Sequence, residues 1–361
     1  MKRRRFRAAK PTPRPRRLLA GAAGAGAVVG IVAILAAVLF AWVYTGPGPK
    51  ARQGQETTVI LRSGAGVAEI AAALDQAGAI RSAPLFMAAA QLTGAARELK
   101  AGEYAFASRA SMSQVIGKIR RGDVVHHRVT VPEGMTSQQV IDVLNANTVL
   151  VGQAPIPPEG ALLPETYDVV RGEQRSAVLQ RMMDAQEKLL AELWGKRKAG
   201  LPFETPAQAV ALASIVEKET AVPSERPEVA SVYVNRLRKG MRLEADPTLI
   251  YGINGGKPLG RGLLKSELET PGPYNTYRNV GLPPTPIGNP GRASLAAVLD
   301  PPDTDYVFFV ADGSGGHVFA ATYDEHLKNV ARWRQIERSR PEAAPAPTTG
   351  TGAAALAHPQ T

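Results

Sequence analysis

The sequence predicts an α+β protein with a single N-terminal transmembrane helix, followed by a small α+β module and a larger α+β domain. Three observations support this fold class. Residues 18–44 are apolar and uncharged. Farther along, apolar residues at helical spacing alternate with short strand-like runs. About 295 residues lie between the apolar run and the last periodic segment, more than one hydrophobic core usually holds, so two subdomains are expected.

The apolar run at residues 18–44 is long enough to cross a membrane. At about 1.5 Å per residue it forms a helix of about 40 Å, against a hydrocarbon layer of about 30 Å. Residues 1–17 carry nine Lys and Arg and no acid, which predicts a cytoplasmic N-terminus and an exported remainder. The alternative is a cleaved signal peptide, but its apolar core would be about 7 to 15 residues long. Trp42 and Tyr44 at the exit are typical of an interfacial anchor instead.

The charge distribution argues against nucleic-acid binding. The chain carries a net charge of +11, but residues 1–17 account for nearly all of it, so the exported part is close to neutral. A phosphate-binding surface would need a basic excess there. The chain has no cysteine, which excludes disulfides, thiolate metal sites and a cysteine nucleophile.

A short linker at residues 45–56 separates the predicted anchor from a module at residues 57–131. The alternation at 57–61 and 103–107 predicts two strands. Helical periodicity predicts three helices in the module, each ending near a glycine. These glycines are Gly78, Gly94 and Gly122.

Residues 132–338 form the predicted larger domain. Thr136 and Gln139 have the spacing of a capping box, which predicts the start of its first helix. Three further helices are expected at 177–201, 206–220 and 228–238, and a fourth around 294–299. Strands are expected at 306–311 and 317–320, joined by a Gly-rich hairpin. Residues 246–290 have a loop-forming composition, and long ordered loops are usually functional. The tail at 339–361 is predicted to be disordered.

Two carboxylates on the predicted helix at 206–220 are the best candidates for chemistry. A carboxylate partly withdrawn from water has a raised pKa and can donate a proton near neutral pH. Helical spacing places Glu219 on the most apolar stripe and Glu217 at its edge. Glu219 is therefore predicted to be the more buried and to act as a structural acceptor. Glu217, at an edge that opens on a cleft, suits catalysis; the alternative is a solvated helix acid paired with a neighbouring Lys or Arg.

A series of short motifs carries a resemblance to a known family. They occur in this order: Val131-Pro132-Glu133-Gly134, Leu163-Pro164-Glu165-Thr166-Tyr167, Ala213-Ser214-Ile215-Val216-Glu217-Lys218-Glu219-Thr220, Val234-Asn235-Arg236-Leu237, Leu243-Glu244-Ala245-Asp246-Pro247-Thr248, Tyr274-Asn275-Thr276-Tyr277, Gly281-Leu282-Pro283-Pro284 and Phe309-Val310-Ala311-Asp312-Gly313. Between residues 57 and 336 this succession closely resembles the YceG-like family of membrane-bound endolytic murein transglycosylases.

The resemblance implies a fold, a reaction and a location. It implies a LysM-like module at 57–131 and a transglycosylase domain at 132–338. It also implies an inner-membrane lyase whose catalytic region lies in the periplasm. This enzyme cuts nascent peptidoglycan at internal bonds of the glycan strand. Peptidoglycan synthases are candidate partners. No cofactor is expected, and no metal site, because the histidines lack a ligand spacing.

Glu217 takes the catalytic role by this resemblance. A lytic transglycosylase needs a proton donor for the leaving oxygen and a base for the muramyl 6-hydroxyl, and one carboxylic acid serves both in turn. The product is a 1,6-anhydro sugar end.

Five further residues are candidates for a polysaccharide groove, because amides bond sugar hydroxyls and aromatic rings cover sugar faces. They are Asn235, Asp246, Tyr274, Asn275 and Tyr277. The alternative is turn formation, which Asn and Asp support through bonds to nearby backbone.

Two other functions remain open from the sequence. A hydrolytic muramidase would need a second carboxylate, Asp246 or Glu219, to activate water or attack carbon. A non-catalytic scaffold would hold peptidoglycan through the membrane-proximal module and recruit synthases.

Overall fold

The computed structural model describes the backbone of residues 17–339 and the side chains of residues 28 and 30–339. Nearly all of the predicted basic segment at 1–17 and of the predicted tail at 339–361 lies outside the described residues. The first helix, α1, runs over Arg17–Thr45. Where side chains are described, no helix is long and apolar enough to cross a membrane. The transmembrane helix at 18–44 therefore stays a prediction.

The chain divides into two compact units, with the division after Val125. The first unit holds α1, followed by β1 (Glu56–Leu61), α2 (Val67–Ala77), α3 (Ala83–Leu92), β2 (Gly102–Ala107) and α4 (Met112–Arg121). The strands β1 and β2 pair antiparallel, with Val59 opposite Tyr104. The helices α2 and α4 end at Gly78 and Gly122, both with φ of 77°, a left-handed conformation that glycine adopts without strain. Side chains from both strands and from α2, α3 and α4 form the core of this unit, which includes Leu74, Phe86 and Ile116.

The second unit is mostly helical, with two short sheets. Its elements are β3 (His126–Thr130), α5 (Ser137–Ala146), β4 (Thr166–Val170), α6 (Arg175–Gly195), α7 (Pro206–Glu219), α8 (Arg226–Arg238), α9 (Asp246–Asn254), α10 (Lys265–Glu269), α11 (Arg292–Leu299), β5 (Phe308–Ala311), β6 (His317–Ala320) and α12 (Tyr323–Ser339). The strands β3 and β4 pair antiparallel, as do β5 and β6.

Helix α7 lies at the centre of the larger core of the second unit. It packs with α8 and α11, and its residues from Ala209 to Val216 are all buried. The side-chain hydroxyl of Thr205 caps its first turn by accepting from the backbone N–H of Gln208 at 3.3 Å, while the side-chain oxygen of Gln208 accepts from the backbone N–H of Thr205 at 3.1 Å. This capping box fixes where α7 begins, and the surrounding helices fix which side chains of its last turn reach the surface.

The α+β class is confirmed, with differences in detail. The capping box of Thr136 and Gln139 begins α5 as predicted. Helix α6 ends at Gly195 rather than near residue 201. Helices α9 and α10 lie inside the stretch 246–290 that was predicted to be a loop. The start of α9 could have been predicted from the sequence, because Asp246 stands in its first turn and is followed by Pro247. Both residues favour the start of a helix, but the composition of the whole stretch is typical of a loop.

Candidate active site

Glu217 lies in the last turn of α7, with both carboxylate oxygens held by donors. Its Oε1 accepts a hydrogen bond from Nη2 of Arg226 at 2.9 Å. Its Oε2 accepts from the backbone N–H of Gly291 at 2.9 Å. The side chain is only 4% exposed. Its orientation is therefore fixed by one charged donor and one backbone donor.

Arg226 joins Glu217 to a second carboxylate, that of Glu133. The same Nη2 atom lies 3.1 Å from Oε2 of Glu133, so one nitrogen contacts both carboxyl groups. The Glu133 side chain is 40% exposed. Partial burial and the neighbouring Glu217 charge raise the pKa of Glu133, although Arg226 opposes them. The site is thus an acid pair around one guanidinium, with Glu133 on its open side.

Two loop segments bring these groups together. The Gly134 amide donates to the Asn289 carbonyl at 2.8 Å, and the Asn289 amide donates back to the Met135 carbonyl at 2.8 Å. The buried Asn289 side chain also donates to the Met135 carbonyl, at 2.9 Å. This short ladder places Gly291 against Glu133, where a Cβ on Gly291 would overlap the carboxyl group of Glu133. Glycine at position 291 is therefore what allows the carboxyl pair and the amide to meet.

A row of polar and aromatic side chains continues from Glu217. Lys218 is largely covered, and that burial lowers its pKa against the opposing charges of Glu159 and Glu217. Glu159 accepts from the Ser137 amide at 3.0 Å, and burial raises its pKa. Glu159 also interacts with the Tyr251 hydroxyl, and the Tyr251 ring lies 5.0 Å from that of Tyr274. The row offers charged and aromatic groups of the kinds that contact sugars.

Glu219 belongs to a different polar network, in the interior. It is 6% exposed as a residue and accepts from the Tyr233 hydroxyl at 2.8 Å. Burial, followed by the charge of Asp246, raises the pKa of Glu219 to about 8. The hydroxyl of Tyr277 donates to Asp246, and burial and that carboxylate raise the Tyr277 pKa. The prediction that Glu219 is a buried acceptor is confirmed.

The two predicted groove asparagines bond to backbone. The amide of Asn235 donates to the carbonyls of Thr304 and Tyr306, at 2.7 and 3.0 Å. The amide of Asn275 donates to the carbonyls of Leu268 and Thr270, at 2.9 and 2.7 Å. These contacts are those expected of residues that fix loops, the alternative left open by the sequence. Of the other candidates, Asp246 is buried, and Tyr274 and Tyr277 are half-buried.

The structure differs from the sequence expectation at Glu217 itself. The helical pattern predicted an edge position open to a cleft, whereas Arg226 and the loop at Gly291 cover the side chain. Helical spacing shows only the neighbours within α7, so it cannot show a cover contributed by other elements. The sequence reasoning also missed roles for Arg226 and Glu133. The available signal for Glu133 was the motif Pro132-Glu133-Gly134, which carried the resemblance without an assigned task.

The chain matches one family model and is similar to several known proteins. The model of the YceG-like family matches residues 59–332. The endolytic murein transglycosylase of Bacillus subtilis (strain 168) is 31% identical over 307 residues, which cover 76% of this chain and 84% of that protein. The endolytic murein transglycosylase of Streptococcus pneumoniae serotype 2 (strain D39) is 28% identical over 323 residues, and the match spans 58% of its length. A crystal structure of a yceG-like protein from Listeria monocytogenes aligns with 29% identity and a TM-score of 0.46, covering 76% of this chain and 99% of that one.

Proposed function

Since this chain belongs to the YceG-like family, we propose that it is an endolytic murein transglycosylase. Its substrate is the peptidoglycan glycan strand. The enzyme cuts this strand at internal bonds between N-acetylmuramic acid and N-acetylglucosamine. The cut proceeds without water and leaves a 1,6-anhydro-N-acetylmuramic acid end. The names of the relatives from Bacillus and Streptococcus support the substrate and the endolytic mode.

The observation that carries the proposal is the fixed carboxylate of Glu217. A general acid or base acts efficiently only when it is held within hydrogen-bonding reach of the atom it serves. Arg226 and the Gly291 amide provide this orientation, and Glu133, with a side chain 40% exposed, lies on the open side of the site. Glu217 protonates the leaving glycosidic oxygen and then accepts the proton of the muramyl 6-hydroxyl as it closes on the anomeric carbon.

The spacing of the carboxyl groups favours a lyase over a hydrolase. Hydrolytic pairs place their carboxyl groups about 5 to 10 Å apart, which leaves room for a water or a sugar carbon between them. Glu133 and Glu217 instead contact the same Nη2 atom of Arg226, at 3.1 and 2.9 Å, so a guanidinium rather than a water or a sugar carbon lies between them. Glu219 is bonded to Tyr233 and Asp246 to Tyr277, so both candidates for the second carboxylate of a muramidase are engaged in the interior.

The proposed location and partners rest on the sequence. The apolar run at 18–44 behind a basic segment supports a single span of the inner membrane, with the catalytic region in the periplasm. An enzyme anchored there meets strands as they emerge from their synthases, which makes the synthases candidate partners. The small module at 57–131 would hold glycan in the manner of a LysM domain.

Analysis of the released fragments tests the proposed reaction. The purified full-length chain is incubated with isolated peptidoglycan, and the fragments are identified by mass spectrometry. We expect anhydro ends from internal cuts with the wild type and with the control E269Q, whose carboxylate is on an exposed helix. E217Q should give no cleavage while retaining binding to peptidoglycan. Reducing ends would show a muramidase, and an equal release by E217Q would show that Glu217 has no catalytic role.

A further inference from the structure

We infer that Glu133 is the proton store of the site: it holds the proton used in the acid step and passes it to Glu217 when the glycan enters. This inference rests on the proposed function, because it concerns the origin of the proton for that reaction. Glu133 acts through Glu217 and is therefore a positioning residue rather than a catalytic one.

The need for such a store arises from the contacts of Glu217. Both of its oxygens accept hydrogen bonds, from Arg226 and from the Gly291 amide. This arrangement suits a base. The first step of the reaction, however, requires an acid, so a proton must reach Glu217 before the glycosidic bond can break.

Glu133 is the group placed to supply that proton. It shares Nη2 of Arg226 with Glu217, at 3.1 Å against 2.9 Å, and its carboxyl group lies against Gly291, whose backbone N–H donates to Glu217. Two carboxylates this close do not both remain ionised easily, and they commonly share one proton. The raised pKa of Glu133, caused by burial and by the Glu217 charge, is consistent with the proton residing there.

Exposure distinguishes the tasks of the two acids. The Glu133 side chain is 40% exposed, against 4% for Glu217. Glu133 can therefore exchange protons with water, whereas Glu217 has little contact with water. The other charged groups around the pair are Arg226 on α8 and Lys218 on α7, with Glu159 acting on Lys218 from the loop before β4. Arg226 and Lys218 are cations and favour ionised carboxylates. When the pair of acids holds one proton, its remaining negative charge is still compensated by these cations.

The proton balance closes over one turnover. The Glu133 carboxyl group gives its proton to a Glu217 oxygen, and Glu217 gives it to the glycosidic oxygen as the bond to the anomeric carbon breaks. The muramyl 6-oxygen then forms its bond to that carbon and releases its proton to Glu217. Return of this proton to Glu133 restores the starting state, and no water is consumed.

The test is the pH profile of cleavage by the full-length chain acting on isolated peptidoglycan. The variants are E133Q, E133D and the exposed control E269Q. The wild type should give a bell-shaped profile, because the active pair carries one proton. In E133Q we expect the alkaline limb to move to lower pH by at least about one unit, since the second negative charge that retains the proton is gone. The acid limb should vanish, and the rate at pH 7 should fall at least about tenfold. E133D should restore a bell, and E269Q should match the wild type.

A merely structural role gives a different outcome. If Glu133 only braced Arg226, E133Q would lower the rate equally at all pH values and leave both limbs in place, and this result would overturn the inference. If E133Q does not fold, G291A decides, because its Cβ would displace the Glu133 carboxyl group without removing it. The same shift of the alkaline limb is expected there, and an unshifted limb refutes the proton store. Failure of the proposed function is separate: it would appear in the wild type as reducing ends or as an absence of cleavage.

Discussion

Arg226 and Glu217 form an ion pair with N to O distance of 2.9 Å, in which the carboxylate side chain is 4% exposed and the guanidinium side chain 13% exposed. The pair joins the first residue of α8 to the last turn of α7. A covered ion pair of this kind contributes little over an apolar contact when intact, but removal of one partner leaves the other without compensation. Its main consequence here is orientation, because α7 and α8 together determine where the Glu217 oxygens lie.

R226M is expected to abolish cleavage and to destabilise the fold in a pH-dependent way. Arg226 opposes the burial and the Glu217 charge that raise the pKa of Glu133, so removal of the cation raises the folded-state pKa of Glu133 further above its unfolded value. Stability is then retained at low pH and lost as pH rises through the folded pKa of Glu133. We expect a loss of about 3 kcal/mol near pH 7.5 and a smaller loss at pH 5, measured by denaturant unfolding, with cleavage reduced at least about 100-fold.

The matched control for this change is R261M. Arg261 pairs with Glu267 at 2.6 Å, but its side chain is 45% exposed, and exposed pairs contribute about 0 to 1 kcal/mol. R261M should therefore leave cleavage unchanged. Because Arg261 lowers the pKa of Glu267 to about 2, the variant should alter the pH dependence of unfolding only in acid, below about pH 5. Equal losses in the two variants at every pH would contradict a special role for Arg226.

E219Q is expected to flatten the pH dependence of stability without abolishing cleavage. Burial raises the pKa of Glu219 from 4.5 to about 8, so the folded protein binds this proton more tightly than the unfolded chain. Stability is then highest below about pH 4.5 and falls as pH rises toward 8, by at most about 1.4 kcal/mol per pH unit. The Gln side chain is neutral throughout and still accepts from Tyr233. Thermal unfolding from pH 5 to 8 measures the slope.

The result for E219Q also separates the lyase from the muramidase. A muramidase that uses Glu219 as its second carboxylate would lose activity in this variant. If Glu219 has only a structural role in the interior, the variant should retain cleavage with an anhydro product and show a flatter stability profile. An unchanged slope would mean that Glu219 is ionised in the folded protein.

The local features of this fold were accessible from the sequence. Thr136 with Gln139 marks a helix start, and Gly78 and Gly122 mark helix ends, because capping depends on residues a few positions apart. The burial of Glu219 followed from helical spacing for the same reason. Each of these predictions needed only the chemistry of one element.

The site itself depends on contacts that are distant in sequence. Gly291 bonds to Glu217 across 74 positions, and Arg226 bonds to Glu133 across 93. No periodic pattern encodes such pairs, so a single sequence could nominate Glu217 without revealing what covers it. The short ladder between residues 134–135 and Asn289 has the same character, since it joins two loops rather than two strands.

N275A tests whether this asparagine fixes a loop or binds glycan. The change leaves the buried carbonyl of Leu268 and the partly buried carbonyl of Thr270 without this donor, at a cost of about 2 kcal/mol. We expect that loss in denaturant unfolding, with an unchanged KM for peptidoglycan below the unfolding range. The control N279A removes one bond from an exposed amide to the Gly272 carbonyl and should cost less than about 1 kcal/mol. A raised KM without a loss of stability would instead place Asn275 in the groove.

Y274A is expected to weaken glycan binding more than catalysis. The Tyr274 ring is half-buried, packs 5.0 Å from Tyr251 and stands at the end of the row that begins at Glu217. An aromatic face that covers a sugar contributes about 1 kcal/mol, which corresponds to a rise in KM of about fivefold with kcat nearly unchanged. Y274F should behave as the wild type, because its ring is intact and only the hydroxyl contact with Thr285 at 2.7 Å is lost.

Y323A controls for the loss of an aromatic residue elsewhere in the same unit, because the Tyr323 ring lies on α12 and is 39% exposed. If Y274A lowered kcat and left KM unchanged, the ring would support the row of Glu159 and Lys218 rather than the substrate, and the groove would have to lie on another side of Glu133.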